Sequence, residues 1–185
     1  SSGETSSLAV VGENAAGLGG TSIDGSSIKG MASVESSDLR LVPDLGSVVE
    51  LPYSIQRPAA VMCSVQKKME SIDSDSFHPK DTRSVLHRVC ERLLPDDMHV
   101  RFKVEPEFHF ITVEGEPFDY GQYADTYPQN TSADTLLEIA SAIQEMGMTV
   151  RVVHHEVGEA QLEIEISYEE ACTAADNILR FKNLA

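Results

Sequence analysis

The sequence predicts a mixed fold, a small turn-rich β unit followed by a stretch in which strands and helices alternate. Three observations carry this. Up to about residue 65, short β-type runs (Leu39 to Val42, Val48 to Leu51, Ala59 to Val65) are separated by Gly, Pro, Asp and Ser. Further on, two stretches repeat apolar residues at helical spacing. Strand-like runs lie between and after them, which gives β followed by βα alternation.

Taken in order, residues 1–20 are rich in Ser, Gly and Ala with a short apolar patch, Leu8 to Val11, and read as flexible or as the remnant of an interrupted strand. After a polar loop from Lys67 to Lys80, Thr82 to Leu94 sets Val85, Leu86, Val89, Cys90, Leu93 and Leu94 on one helical face, with Asp81 as cap and Pro95 as stop. Val100 to Val113 reads as one long strand. A loop with Gly115, Pro117, Gly121 and Pro128 leads to a helix in which Thr131 and Asp134 form a capping-box-like start. Its apolar face is Leu136, Leu137, Ile139, Ala140, Ile143 and Met146, and Gly147 sits at the C′ position. Strands at Thr149 to His155 and Gln161 to Ile166 follow, then a helix opened by Ser167 and Glu170 as a capping box.

Composition excludes several classes. Among 185 residues, 14 Lys and Arg stand against 30 Asp and Glu, a formal net charge of -16 that repels nucleic-acid phosphates and anionic membrane surfaces. Apolar runs fall far short of the ~20 residues that cross a bilayer, and no basic segment precedes an apolar one at the start. Cys63, Cys90 and Cys172 are odd in number and widely spaced, so neither a disulfide framework nor a CxxC metal site is expected, and a reducing cytoplasm is the expected location. The final helix has no Gly or Pro stop, so the chain reads as a piece of a longer polypeptide.

Three constellations could carry chemistry. In EPEFHF, strand alternation puts Glu105 and Glu107 on one face about 7 Å apart. Two such carboxylates are costly unless a cation or water meets them, although the pair alone also reads as a solvated outer face. In HHEVGEAQLEI, Gly158 permits a turn that can bring Glu156 near Glu163, and their hard oxygens suit Mg²⁺ or Mn²⁺ better than Zn²⁺. Leu162, Ile164 and Ile166 face the other way from Gln161, Glu163 and Glu165. His154 and His155 are adjacent, point oppositely on a strand and read as orienting or structural groups; His78, His87 and His99 read as surface or loop residues. DGSS at 24–27 is a turn signal and lacks what a phosphate loop needs.

In order and spacing, DGSSI at 24–28, SSDLRLVPD at 36–44, EPEFHF at 105–110, HHEV at 154–157, QLEI at 161–164 and TAADN at 173–177 with FK at 181–182 resemble the glutamine synthetase family, from about Gly17 to the last residue. The resemblance implies a flexible or remnant segment at 1–17, a partial β-grasp domain at 18–65, and at 66–185 the first part of an α/β catalytic domain. It implies ring assembly as a homo-oligomer with sites between subunits. The implied reaction joins ammonium to L-glutamate with ATP through γ-glutamyl phosphate, with Mg²⁺ or Mn²⁺ as cofactor. Position by position, Glu107, Glu156 and Glu163 would hold one ion and Glu105 would contribute to a second. Asp24 and Ser27 would reach the neighbouring subunit's site, where Asp24 helps bind ammonium and take its proton. Ile23 stands where an aromatic is usual, GEAQL at 158–162 where APGQH is, and Arg151 where an acid that meets the nucleotide is. Since further nucleotide, metal and glutamate groups would follow residue 185, the chain alone is expected to be inactive. Two other readings are a shortened binding or regulatory module and a γ-glutamyl ligase that uses another amine.

Overall fold

A computed structural model describes residues 21–67, 77–95 and 97–184, so the expectation for residues 1–20 and the middle of the polar loop lie outside the described residues. The chain divides into two compact units, residues 1–51 with 58–100, and residues 52–57 with 101–185.

In the first unit, β1 (Thr21–Asp24), β2 (Asp38–Pro43) and β5 (Cys63–Gln66) form an antiparallel sheet in the order β1-β2-β5, and β3 (Val49–Glu50) pairs with β4 (Ala59–Ala60). Leu39 and Leu41, two apart on β2, point to the same side and are buried. Gly25 lies against that core: a Cβ there would stand 2.3 Å from Leu39 Cδ1. The helix α1 (Thr82–Leu93) is capped as the sequence indicates, by Asp81, whose Oδ2 accepts from Ser84 N at 3.2 Å and from Val65 N on β5 at 3.3 Å. One carboxylate thus both caps the helix and ties it to the sheet. On the apolar face expected on α1, Leu86, Cys90 and Leu94 are half-buried while Val85, Val89 and Leu93 are exposed, Leu93 by 73%. The side chain sunk from α1 is the small Ser84, whose hydroxyl donates to Asp81. His78, read as a surface or loop residue, is in a loop but buried.

The second unit is built on β9 (Gln161–Glu170), which pairs antiparallel with β8 (Val150–His155) on one edge and with β6 (Arg101–Val104) and β7 (Glu107–His109) on the other. The single strand expected from Val100 to Val113 is interrupted at Glu105 and Pro106, since proline has no N–H to give the ladder. The register nevertheless carries across: Val104 faces Ile166 and Glu107 faces Glu163, three residues further on both strands, and Pro106 O still accepts from Ile164 N at 3.1 Å. Side-chain alternation is therefore preserved, with Glu105 beside Glu165 and Glu107 beside Glu163.

The helices α2 (Ala133–Glu145) and α3 (Ala171–Leu184) supply Leu136, Ala140, Ile143, Ala174 and Phe181 to a core shared with Leu162, Ile164 and Ile166 of β9, all three at most 1% exposed. Phe108, paired with Leu162, meets Phe181 at 5.9 Å between ring centroids. Two element starts differ from expectation. The N-cap of α2 is Ser132 rather than Thr131, and its hydroxyl donates to Asp119 instead of capping. Ser167 and Glu170 open no helix, because β9 continues to Glu170 through its pairing with β6 and α3 begins at Ala171. Gly147, with φ +84°, ends α2 in the left-handed conformation expected of it. No disulfide joins Cys63, Cys90 and Cys172 to one another. Among the described residues no helix is long and apolar enough to cross a membrane.

Candidate metal centre

With apolar side chains of β9 turned toward the helices, alternation turns Glu163 and Glu165 to the opposite face of the sheet. Register then builds rows across it. One row runs Glu107, Glu163, His154, each a direct partner of the next. The adjoining row brings Glu105 beside Glu165, which in turn pairs with Val152 on β8. Glu156, one residue beyond β8, reaches the same place: His154 Nδ1 stands 3.5 Å from Glu156 Oε1, and His154 Nε2 stands 3.7 Å from Glu163 Oε2. Glu105, Glu107, Glu156 and Glu163 are thus brought onto one face, with His154 among them. Donor atoms of His154, Glu163 and Glu165 lie within 4.8 Å of one another.

Electrostatics follow from this crowding. Glu163 is only 8% exposed, and that burial raises its carboxyl above the ordinary value; His154 opposes the rise, while Glu156 and Glu105 add to it. Like charges directly opposite on neighbouring strands repel, so the Glu107–Glu163 row carries a cost that a cation would cancel. The two rows differ in how they meet it. The Glu105–Glu165 row has its own positive charge, since Lys103 Nζ pairs with Glu105 Oε1 and lies 3.0 Å from Glu165 Oε2. In the Glu107–Glu163 row, Glu107 takes a neutral donor instead: Gln161 Nε2 donates to its Oε2 at 2.8 Å. Carboxylate oxygens with one imidazole suit Mg²⁺ or Mn²⁺ by type, but the donors spaced for an ion are His154, Glu163 and Glu165, and that group does not include Glu105, Glu107 or Glu156.

The turn between β8 and β9 differs in detail from expectation. Its left-handed residue is Ala160, φ +51°, not Gly158. A Cβ on Gly158 would lie 2.7 Å from Gln161 Oε1 and displace it; that oxygen accepts from Gly158 N at 2.9 Å, which leaves the amide nitrogen to Glu107.

The sequence reading singled out neither Lys103 nor Asp119. Asp119 is buried and collects Ser132 Oγ, Ser132 N and Gly121 N, and its Oδ1 lies 2.7 Å from His155 Nε2. Burial works against its charge, but these hydrogen bonds outweigh it and hold the carboxyl below the ordinary value. His155 is completely buried, and its Nδ1 lies 2.6 Å from Glu156 O, so Asp119 steadies the backbone that carries Glu156. His155 is a structural group, while His154 faces the carboxylates, its ring edge-on to Tyr123 at 5.4 Å. No motif marks an aspartate in a loop as a partner for a histidine 36 positions away.

Asp24 and Ser27 lie in the first unit. Asp24 heads a turn of 3-10 helix, accepting from Ser26 N at 2.9 Å, Ser26 Oγ at 2.6 Å and Ser27 Oγ at 3.2 Å. The Ser26 bonds above all lower its pKa. Arg151 is exposed on β8 where the register shifts between Val150 and Val152.

Residues 4–68 match the family description "Glutamine synthetase, beta-Grasp domain" and residues 79–185 match "Glutamine synthetase, catalytic domain". Glutamine synthetase of Pyrococcus abyssi is 36% identical over 167 residues, 88% of this chain and 36% of the relative. That of Staphylococcus epidermidis is 35% identical over 170 residues, 86% of this chain and 36% of the relative. A solved structure described as apo GmaS without ligand superposes with a TM-score of 0.77 at 25% identity, covering 90% of this chain and 39% of that one. Glutamine synthetase of Plasmodium falciparum shares the fold, with a TM-score of 0.66 at 22% identity over 90% of this chain and 38% of that one. The chain spans little more than a third of the length of these relatives. On its β-grasp and catalytic-domain matches together, this chain belongs to the glutamine synthetase family.

Proposed function

We propose that this chain carries the front part of a ligase site that joins ammonium to L-glutamate with ATP, and that its own share of the work is to hold a divalent cation. The observation that supports this most is the row of Glu107 and Glu163 with Glu156 and His154 beside it, an arrangement costly in itself that a cation would stabilise. When bound, a divalent ion would neutralise charge as a phosphoryl group moves to the glutamate carboxylate. Glu107, Glu156 and Glu163 would hold that ion, with Glu105 at the edge of a second. Gln161 donates to Glu107 on the acidic face, and the Asp119–His155 pair keeps the strand end bearing Glu156 in place.

Asp24 and Ser27 are assigned on the same reading to a neighbouring subunit's site in a homo-oligomeric ring, where Asp24 would bind ammonium and take its proton. A lowered Asp24 pKa keeps the carboxylate charged for that role. The cytoplasm supplies the three substrates. Because the chain corresponds to 36% of its curated relatives, the chain alone is expected to show no turnover: positioning needs the remaining groups in place.

A chimera tests the ligase reading: residues 21–184 joined in register to the remainder of the Pyrococcus abyssi relative, assayed for phosphate release from ATP. Release should require both glutamate and ammonium and fall at least about a hundredfold in the Glu163→Gln version, the scale for losing an ion's charge stabilisation. A folded chimera whose release is indifferent to Glu163→Gln would contradict it. A non-catalytic metal-binding module is the second reading, favoured by one fact: Glu107, Glu156, Glu163 and His154 all lie within this chain, so cation binding needs nothing outside it.

A further inference from the structure

In the first unit, α1 turns a polar face to β2 and β5. Arg83, His87, Arg88 and Glu91 follow the helical repeat along one side of a cavity of about 290 Å³, and Val42 and Phe77 belong to its apolar side. The cavity lies wholly within that unit, at the end of β2 away from Asp38, the residue that faces Asp24. Its charged groups are not equally engaged. Arg83 donates to Asp44 Oδ2 at 2.6 Å and Gly46 N donates to Asp44 Oδ1 at 3.0 Å, so that carboxylate is satisfied. His87 Nε2 is buried and makes no hydrogen bond, and Arg88 pairs with no carboxylate among the described residues, Glu91 one turn on included. A buried ring nitrogen without a partner carries a desolvation cost that a ligand atom bonded to it would offset.

We infer that this cavity is a binding site for a small organic monocarboxylate with an apolar body. The body would lie against Val42 and Phe77, and the carboxylate would accept from His87 Nε2 and from the Arg88 guanidinium. Volume sets the size: 290 Å³ is at the lower limit of ligand pockets and has room for about ten non-hydrogen atoms. The apolar side favours such a molecule over inorganic phosphate, which would lose water there without gaining contacts. Charge sets the sign, since Asp44 is already held by Arg83 while His87 and Arg88 are left to face an anion. Glu91 opposes that attraction and keeps the binding modest. No residue of the cavity belongs to the acidic face, so the outcome here leaves the cation reading as it stands.

The probe is benzoate, titrated into the full chain and followed by NMR at the Val42, Phe77 and His87 signals, with benzamide as its uncharged counterpart and inorganic phosphate as the bare anion. Benzoate should shift these signals saturably with a Kd of about 1 mM, the scale for a fragment of this size. Benzamide and phosphate should each bind at least about tenfold more weakly. His87→Leu and Arg88→Met, each shown to be folded by its thermal transition, should each weaken benzoate at least about tenfold, the scale of one charge-assisted hydrogen bond. Arg92→Met removes the same charge from the last turn of α1, outside the cavity, and should change the affinity less than about twofold. The inference is overturned if benzoate shifts none of these signals saturably, or if benzamide or phosphate binds as tightly. It is overturned equally if His87→Leu or Arg88→Met keeps the wild-type affinity, or if Arg92→Met weakens binding as much as Arg88→Met. Should His87→Leu fail to fold, Arg88→Met and the benzamide comparison decide.

Discussion

Glu107 and Glu163 face each other directly across β7 and β9, two like charges at a position where such a pair opposes sheet formation. Glu163 is the more constrained of the two, being 8% exposed and having its pKa raised by burial first, with Glu156 and Glu105 adding to the rise.

The sign of the pH dependence follows. A carboxyl whose pKa is higher in the folded than in the unfolded chain favours folding when protonated, so stability falls as pH rises through the folded value. In chelator, Glu163→Gln is expected to be more stable than wild type at pH 7 by about 0.5–1 kcal/mol, the scale of a cross-strand charge pair. The gap should close as pH approaches the ordinary carboxylate range. Urea unfolding from about pH 4 to pH 8 measures it. Equal stability across the range would show that the pair costs nothing.

Asp119 has the opposite sign. Its pKa is lowered in the folded chain by bonds from Ser132, His155 and Gly121 that overcome burial, so its contribution is present above the unfolded value and is lost as pH falls through the folded one. Asp119→Ala leaves His155 Nε2 and Ser132 Oγ without their buried partner and should cost about 3 kcal/mol, read by chemical denaturation at neutral pH. Gly121→Ala attacks the same pair sterically, since its Cβ would lie 2.8 Å from His155 Cδ2. A loss of about 1–3 kcal/mol is expected from that overpacking.

Gly158→Ala separates orientation from charge. The added methyl meets Gln161 Oε1 and pushes the amide away from Glu107 while removing no carboxylate. Mn²⁺ affinity should fall a few-fold, roughly the value of one hydrogen bond. An unchanged affinity would mean that Gln161 does not aim Glu107.

Asp81→Ala removes both the α1 cap and the acceptor for Val65 N, and should cost about 1–2 kcal/mol in thermal or urea unfolding. No loss would imply that the helix start is held by other bonds.

Much of this was legible in the sequence because it depends on local periodicity. The period of 2 in QLEIEI turned Leu162, Ile164 and Ile166 inward and the glutamates outward, and both Asp81 and Gly147 read as helix ends from residue type and place alone. Non-local pairing was not legible. Pro106 interrupts the long strand without shifting its register, a fact that exists only once β9 lies alongside. Ser167 and Glu170 have the spacing of a capping box, yet pairing with β6 keeps them extended. Local spacing found α1 and its cap but not what its apolar stripe meets, since Val85, Val89 and Leu93 are exposed. On the acidic face the glutamates came from motifs, whereas Lys103, Gln161 and Asp119 act through partners 62, 54 and 36 positions away.

The central claim is that these carboxylates meet around one divalent cation. Titrating the chain with Mn²⁺ by calorimetry, beside Glu163→Gln and Glu156→Ala, tests it most directly. Saturable binding by wild type that weakens at least about tenfold in each variant is the expected result. Binding heats that are the same in all three proteins, or absent from wild type, would contradict it.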